Sequence, residues 1–213
     1  MIEITSYPSY TQLKKSLTNL LIESPFLDLC FFEALEASKS IGGETGWKSF
    51  PIVATKEAEV VGFMPVFLKS HSYGEYVFDW SWAEAFERYG LSYYPKMISA
   101  IPFTPITGKR IVAKDPEIKK LMIKALEKIL VEHKISSCHI LFPEKEDSDL
   151  FNSMGWLLRE GVQFKWENKS YPSFNDFLSD LSHNKRKKIK QERRKVLESG
   201  IKVIVKTGNE IER

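Results

Sequence analysis

Residues 51–69 read PIVATKEAEVVGFMPVFLK. Two stretches rich in β-branched and aromatic residues, Pro51–Thr55 and Val60–Lys69, flank the polar segment KEAE. Branched and aromatic side chains suit a pleated surface, and a short polar break between two such runs predicts a β-hairpin. Downstream, Val77–Trp80 reads as a short strand and Ser81–Tyr89 as a helix stopped by Gly90. Residues 97–113 read as extended chain broken by Pro102 and Pro105. Asp115-Pro116-Glu117 then makes a strong helix start. Ile118, Leu121, Met122, Ala125 and Ile129 recur at helical spacing behind it. Ser137–Phe142 reads as a strand, Asp147–Met154 as a helix and Gly161–Trp166 as another strand.

Upstream of the hairpin, Ser9 and Gln12 match a capping box, and Leu13, Leu17, Leu20 and Leu21 give a helical stripe. Ser24-Pro25 starts a second helix over 26–38. Helices, a strand meander, then alternating helix and strand predict an α/β fold, one mixed sheet with helices on its faces. The pattern begins again after residue 172. Ser173 and Asp176 open a helix, a basic helix covers 182–199, Gly200 closes it, and Ile201–Val205 reads as a strand. The expected division is a domain at 1–170 and the beginning of a second at 171–213. A lone strand needs partners. The strand at 201–205 therefore predicts pairing in trans, by oligomerisation or with another chain, or disorder of 173–213.

Composition excludes several classes. The chain is 43% hydrophobic, with 14 Phe, 8 Tyr and 5 Trp, so it has the material for a packed core. No apolar run approaches the roughly 20 residues of a membrane span. The start, MIEITSYPSY, has no basic segment ahead of an apolar one and reads as neither a leader nor an anchor. Cys30 and Cys138 lack metal or redox spacing, which fits a reducing cytoplasm. No metal site is expected, and no Gly-x-Ser-x-Gly nucleophile turn is present. Residues 182–199 hold eight Lys/Arg against Glu192 and Glu198, a local charge of +6 where the whole chain has +3.

Candidate site residues cluster in a few places. Phe78-Asp79-Trp80-Ser81-Trp82 puts a carboxylate and two tryptophans at the head of a helix. Trp80 and Trp82 can wall a substrate groove while Asp79 accepts from a substrate amine. Asp79 or Ser81 equally serves as a helix cap, with the tryptophans packed. Tyr73, Tyr76, Tyr89, Tyr93 and Tyr94 crowd the same region, and tyrosines keep a polar tip at wet surfaces. In Pro102–Arg110, Thr104, Thr107 and Arg110 can hold a substrate anion, or the segment is a rigid crossover with Arg110 in an ion pair. His139, in a strand, has the intrinsic pKa of a general base, or it is structural. Gln163 and Trp166 lie an odd number apart in their strand, so only one can face a given cleft. Lys185, Arg186, Lys187 and Arg193 on the basic helix can contact nucleic-acid phosphate, anionic lipid or an acidic partner surface, or simply stay solvated.

Three segments carry a resemblance. They are KSHSYGEYVFDWSWAEAFERYGLSYYPK (Lys69–Lys96), IPFTPITGKR (Ile101–Arg110), and a set made of HILFPE (His139–Glu144), VQFKWEN (Val162–Asn168) and FNDFLSDLSHNKRKKIKQERRKV (Phe174–Val196). Together the chain resembles the FemAB-like family of peptidoglycan biosynthesis/recognition proteins over nearly its whole length. The resemblance implies tandem GNAT-like domains, of which this chain would supply the first and the entrance to the second. Either the chain is a truncated or split form of such a protein, or a C-terminal half carried in a separate chain supplies the rest. It implies acyl or aminoacyl transfer to an amine, with aminoacyl-tRNA or acyl-CoA as donor and a cell-wall precursor as acceptor. Asp79 and His139 are the expected catalytic contacts. The coenzyme A loop Gln/Arg-x-x-Gly-x-Gly/Ala is not found, which favours another donor or a donor site elsewhere. A binding module without catalysis, recognising a precursor or a partner chain, is the alternative reading.

Overall fold

A computed structural model of the chain describes residues 1–13, 20, 22–162 and 164–211, so Leu17 and Leu21 of the expected stripe, and Gln163, lie outside the described residues. The chain divides into two compact units, residues 1–159 and 160–213. In the first unit the strands are β1 (Ile2–Ser6), β2 (Trp47–Ser49), β3 (Ile52–Lys56), β4 (Glu59–Met64), β5 (Val66–Lys69), β6 (Lys96–Ser99), β7 (Val112–Ala113) and β8 (Cys138–Ile140). Its helices are α1 (Leu29–Ala37), α2 (Trp80–Arg88), α3 (Pro116–Glu132) and α4 (Lys145–Ser153).

The expected hairpin is the spine of the fold. It runs through two four-stranded sheets, ordered β1-β3-β4-β7 and β2-β5-β6-β8. Every pair is antiparallel except β6 with β8. The chain passes from one sheet to the other at Phe50-Pro51 on one arm and at Pro65 on the other. Proline has no N–H to give to a ladder, so paired strands bend there. Phe50 N–H still donates to the Val66 carbonyl at 2.9 Å and bridges the bend. The turn has two residues, with Lys56 opposite Glu59, and both Glu57 (φ 53°) and Ala58 (φ 66°) are left-handed. That geometry matches the twist of the two arms.

Alternation along the hairpin feeds two cores. Val53, Phe63 and Phe67 point to one side, where Tyr10, Phe32 and Trp47 pack, and Tyr10 stacks on Phe32 at 4.2 Å. Ile52, Ala54, Met64 and Val66 point to the other, against Ile118, Met122 and Leu126 of α3 and Phe151 of α4. Asp115 caps α3, accepting from Glu117 N–H at 2.7 Å, with Pro116 in the first turn. Gly62 lies under α3. A methyl group there would meet Met122 Sδ at 2.6 Å and Ile118 Cγ2 at 3.1 Å.

Several expectations change in detail. Ser9 heads only a short 3-10 turn, Tyr10–Leu13, its Oγ accepting from Thr11 N–H at 3.1 Å. Its hydroxyl donates to Glu36 at 2.6 Å. Helix α1 starts at Leu29 because Asp28 caps it, accepting from Cys30 N–H at 2.8 Å. Residues 77–79 form no strand, and Trp80 opens α2 directly. Strands β1 and β2 were not anticipated.

The second unit contains α5 (Phe174–Ser179) and α6 (His183–Glu198). Ser173 caps α5, accepting from Asp176 N–H at 3.3 Å. The Arg186 guanidinium closes its other end, donating to the carbonyls of Leu178, Ser179 and Leu181 at 2.9–3.0 Å. The stretches expected as strands, 161–166 and 201–205, form none among the described residues. Extended chain becomes strand only with a partner backbone to accept and donate, and within this unit neither stretch finds one.

Candidate functional site

Strand register creates the site. Lys69 of β5 and Lys96 of β6 are directly opposite, and both are fully buried. Two like charges facing each other across a ladder repel, and desolvation adds to the cost. The connection between them answers this with two buried carboxylates, Glu75 and Asp79. Lys96 Nζ donates to Ser72 Oγ and Glu75 Oε2, each at 2.7 Å, and to Asp79 Oδ2. Lys69 Nζ donates to the Tyr73 carbonyl at 3.1 Å, lies 4.0 Å from Glu75 Oε1, and sits 3.8 Å over the Trp47 ring. Two cations and two anions make a neutral buried quartet.

The cluster continues outward from Asp79. Tyr93 donates its hydroxyl proton to Asp79 Oδ2 at 2.6 Å, and His139 Nε2 lies 3.3 Å from the same hydroxyl. His139 Nε2 is also 3.0 Å from Ser137 Oγ. The hydroxyls of Ser72 and Tyr94 meet at 2.8 Å. Tyr93 has a single hydroxyl proton. Once that proton goes to Asp79, His139 engages the phenol only through an Nε2–H. In that tautomer Nδ1 carries the free lone pair.

Burial and charge fix the protonation states. His139 is pulled down to about 4 by burial, with Lys96 and Arg159 adding to the effect and Asp79 opposing it, so it is neutral at physiological pH. Burial pushes the Asp79 carboxyl up, but hydrogen bonds from Lys96, Ser72 and Tyr93 outweigh it and hold it below the ordinary carboxylate value. Glu75 goes the other way, because burial outweighs its bond and attraction to Lys96. Burial, with the Asp79 charge beside it, raises the Tyr93 phenol and keeps it protonated. Lys69 is lowered to about 8 by burial, against the attraction of Glu75 and with the repulsion of Lys96. Asp79 Oδ1 and Glu75 Oε1 are buried and take no hydrogen bond among the described residues.

Tyr93 also lines an open groove of about 660 Å³. One wall is the α2 face formed by Trp80, Ala83, Glu84 and Glu87, spaced three and four apart as one helix face requires. The other is Leu91–Tyr94. Trp80 leans on Tyr73, with ring centroids 5.1 Å apart.

The structure thus brings together Asp79, Tyr93 and His139, with Trp80 on the groove wall. Asp79 occupies the cap position of α2 but makes no side-chain cap bond, because its carboxylate turns inward to Lys96. Trp82, two residues from Trp80, points elsewhere and lies 5.9 Å from the Arg159 guanidinium. Arg110 corrects an expectation. It is 1% exposed, and its guanidinium donates to the carbonyls of Leu141 (2.8 Å), Lys109 (3.0 Å) and Ile106 (2.5 Å), so it offers no face to a substrate anion. The buried Asp147 carboxylate pins the same loop, accepting from the N–H groups of Arg110 (2.6 Å) and Ile111 (3.1 Å) and from Lys119. Thr104 bonds its own turn through the Pro102 carbonyl at 3.1 Å, and Thr107 is exposed. Trp166, Lys185, Arg186, Lys187 and Arg193 belong to the second unit. Lys69, Ser72, Glu75 and Lys96 are site residues that sequence reasoning missed. No cluster of metal-ligating groups is present among the described residues.

A model of the FemAB-like family, described as peptidoglycan biosynthesis/recognition, matches residues 9–213. A search of curated proteins finds no match. Among solved structures, a ribosomal-protein-alanine N-acetyltransferase from Brucella melitensis biovar Abortus 2308 aligns with a TM-score of 0.42 at 11% identity, covering 78% of this chain and 99% of that one. A possible acetyltransferase from Clostridium difficile 630 aligns with a TM-score of 0.43 at 12% identity, covering 79% and 98%. A transcriptional regulator from Bacillus halodurans C-125 aligns with a TM-score of 0.40 at 11% identity, covering 78% and 100%.

Proposed function

Because the chain belongs to the FemAB-like family, we propose that it forms the N-terminal part of an acyl or aminoacyl transferase whose acceptor is an amine on a peptidoglycan precursor. The observation that carries this reading is Tyr93, which lines the groove while its hydroxyl joins Asp79 to His139. Transfer to an amine requires loss of a proton from the ammonium. The nitrogen then attacks the carbonyl carbon of an activated ester or thioester, and the alkoxide or thiolate leaves with a proton. His139, neutral at physiological pH, has a lone pair to take the first proton and can return it to the leaving group. Ionised Asp79 holds the Tyr93 hydroxyl, and Tyr93 in turn holds the imidazole in one tautomer. Lys96 keeps Asp79 ionised.

On this reading the donor is an aminoacyl-tRNA or an acyl-CoA. Residues 171–213 begin a second GNAT-like domain, completed by a C-terminal half on a separate chain, and the protein works in the cytoplasm. A non-catalytic binding module is the second reading. The full burial of Lys96 and Asp79 in a neutral quartet favours it, since such a cluster is also a plain structural anchor.

The test is transfer by the purified chain, alone and mixed with the C-terminal half, with each donor and a precursor amine, read by mass spectrometry. His139→Asn is expected to lower the rate by about 100-fold or more, the usual worth of a positioned base. Equal rates in wild type and His139→Asn would remove the catalytic assignment. Precursor binding by calorimetry, without product from any donor, would establish the binding module instead.

A further inference from the structure

We propose that the second unit binds an anionic phospholipid surface, with α6 supplying charge and the exposed aromatic and aliphatic side chains entering the headgroup layer. This inference is independent of the chemistry assigned to the first unit, and it applies to the chain free of the C-terminal half, which would cover the same apolar side chains. Helix α6 has no buried residue. Of its cations, Arg186 is held by the end of α5, while Lys188 and Arg194 face Glu192 and Glu198 at 3.9 and 3.6 Å. Lys185, Lys187, Lys190 and Lys195 have no ion-pair partner among the described residues.

An aromatic cluster adjoins the helix. Arg193 stacks 4.5 Å over the Phe174 ring, and Phe174, Trp166 and Tyr171 each contact Phe177 with centroids 5.6–5.9 Å apart. These rings line an open apolar cleft of about 420 Å³. Trp166 is 65% exposed, and Val162, Val203 and Val205 are each at least 80% exposed. Lysines flank them at 165, 202 and 206. Exposed tryptophan, branched aliphatics and lysine together are the composition of an interfacial anchor.

The occupant follows from what each group can gain. Aromatic rings and cations would also serve a single-stranded nucleic acid, by stacking and phosphate contact. The exposed valines gain nothing there, whereas they leave water on entering a headgroup layer. A protein groove would bury some α6 cations, because they surround the helix. A diffuse anionic plane accepts their flexible heads while the stems lie along it. Each Lys or Arg near an anionic leaflet is worth about fivefold in partitioning, so several are needed and several are present.

The test is flotation of the full chain with vesicles of phosphatidylcholine alone, and of phosphatidylcholine with phosphatidylglycerol, across a salt series. Binding is expected only to the anionic vesicles, weakening as salt rises, with a blue shift of tryptophan fluorescence that Trp166→Phe diminishes. Lys185→Glu, Lys187→Glu and Lys190→Glu together are expected to weaken binding by about 100-fold, at fivefold for each lost cation, with circular dichroism confirming that α6 persists. Equal binding to both vesicle types, no binding to either, or no effect of the triple reversal overturns the proposal. So does polyuridylate binding that outcompetes the anionic vesicles.

Discussion

Replacing Lys96 with methionine isolates the electrostatics of the buried quartet. Methionine keeps most of the aliphatic length, so the perturbation is loss of one charge and its three hydrogen bonds, to Ser72, Glu75 and Asp79. Two carboxylates are then left buried with only Lys69, which lies 4.0 Å from Glu75. Removing one partner of a buried ion pair costs about 3–5 kcal/mol. In a domain of this size that lowers Tm by on the order of 10 °C. The deficit must also depend on pH. In the wild type Asp79 has a depressed folded-state pKa, so its contribution is present above the unfolded carboxylate value and lost as pH falls through the folded one. Glu75, raised in the folded state, acts in the opposite sense. Without Lys96 both carboxyls are raised by burial, so the variant recovers relative to wild type as acid protonates them. Urea unfolding at neutral pH and at several acid values measures this. A deficit under about 1 kcal/mol at neutral pH, or one that does not shrink on acidification, refutes the reasoning.

Three further outcomes follow from the same structure. His139 should titrate by NMR near 4 rather than near the ordinary imidazole value, as burial and the Lys96 charge dictate. The unfolded chain then protonates first as pH falls below about 6.5, so His139 withdraws stability on acidification through that window, and His139→Asn should flatten that part of the stability curve. Asp115→Ala should cost about 1 kcal/mol in urea unfolding, because it removes the cap of α3. Ala58→Gly should raise stability by about 1 kcal/mol by relieving a left-handed alanine in the hairpin turn, and a Tm that falls would contradict the turn geometry.

What could be read in advance depended on the range of the interaction. The hairpin and α3 were legible because their signals are local, in the branched residues around KEAE and in Asp115-Pro116 ahead of a regular stripe. Strand β1 was passed over, although Ile2, Ile4 and Ser6 alternate with more exposed neighbours, because five residues at a terminus give little periodicity to weigh. Asp79, Tyr93 and His139 were singled out one at a time for their chemistry. Their meeting depends on β6 lying between β5 and β8, which no spacing reveals. Lys69 and Lys96 look like ordinary solvent-facing lysines at the ends of a segment. Only the register that sets them opposite each other makes them a buried pair. Arg110 misled for the reverse reason, since a loop arginine among threonines and prolines looks available until Leu141, Lys109 and Ile106 are seen to surround it.

The bent hairpin has a consequence for how this chain tolerates change in length. Its tight turn at Glu57-Ala58 lies in one sheet, while the same two arms, past their prolines, set Trp47 against Lys69 in the other. Inserting or deleting a single residue in that turn would slide one arm past the other. Side chains alternate with a period of two, so Lys69 would turn away from Trp47 and Glu75 toward the opposite core. Gly42–Gly46 and Gly90 lie in connections outside this hairpin and can absorb added residues without moving the register. Lineages of this protein should therefore vary freely in length at those connections and hold the four residues from Lys56 to Glu59 to a fixed count.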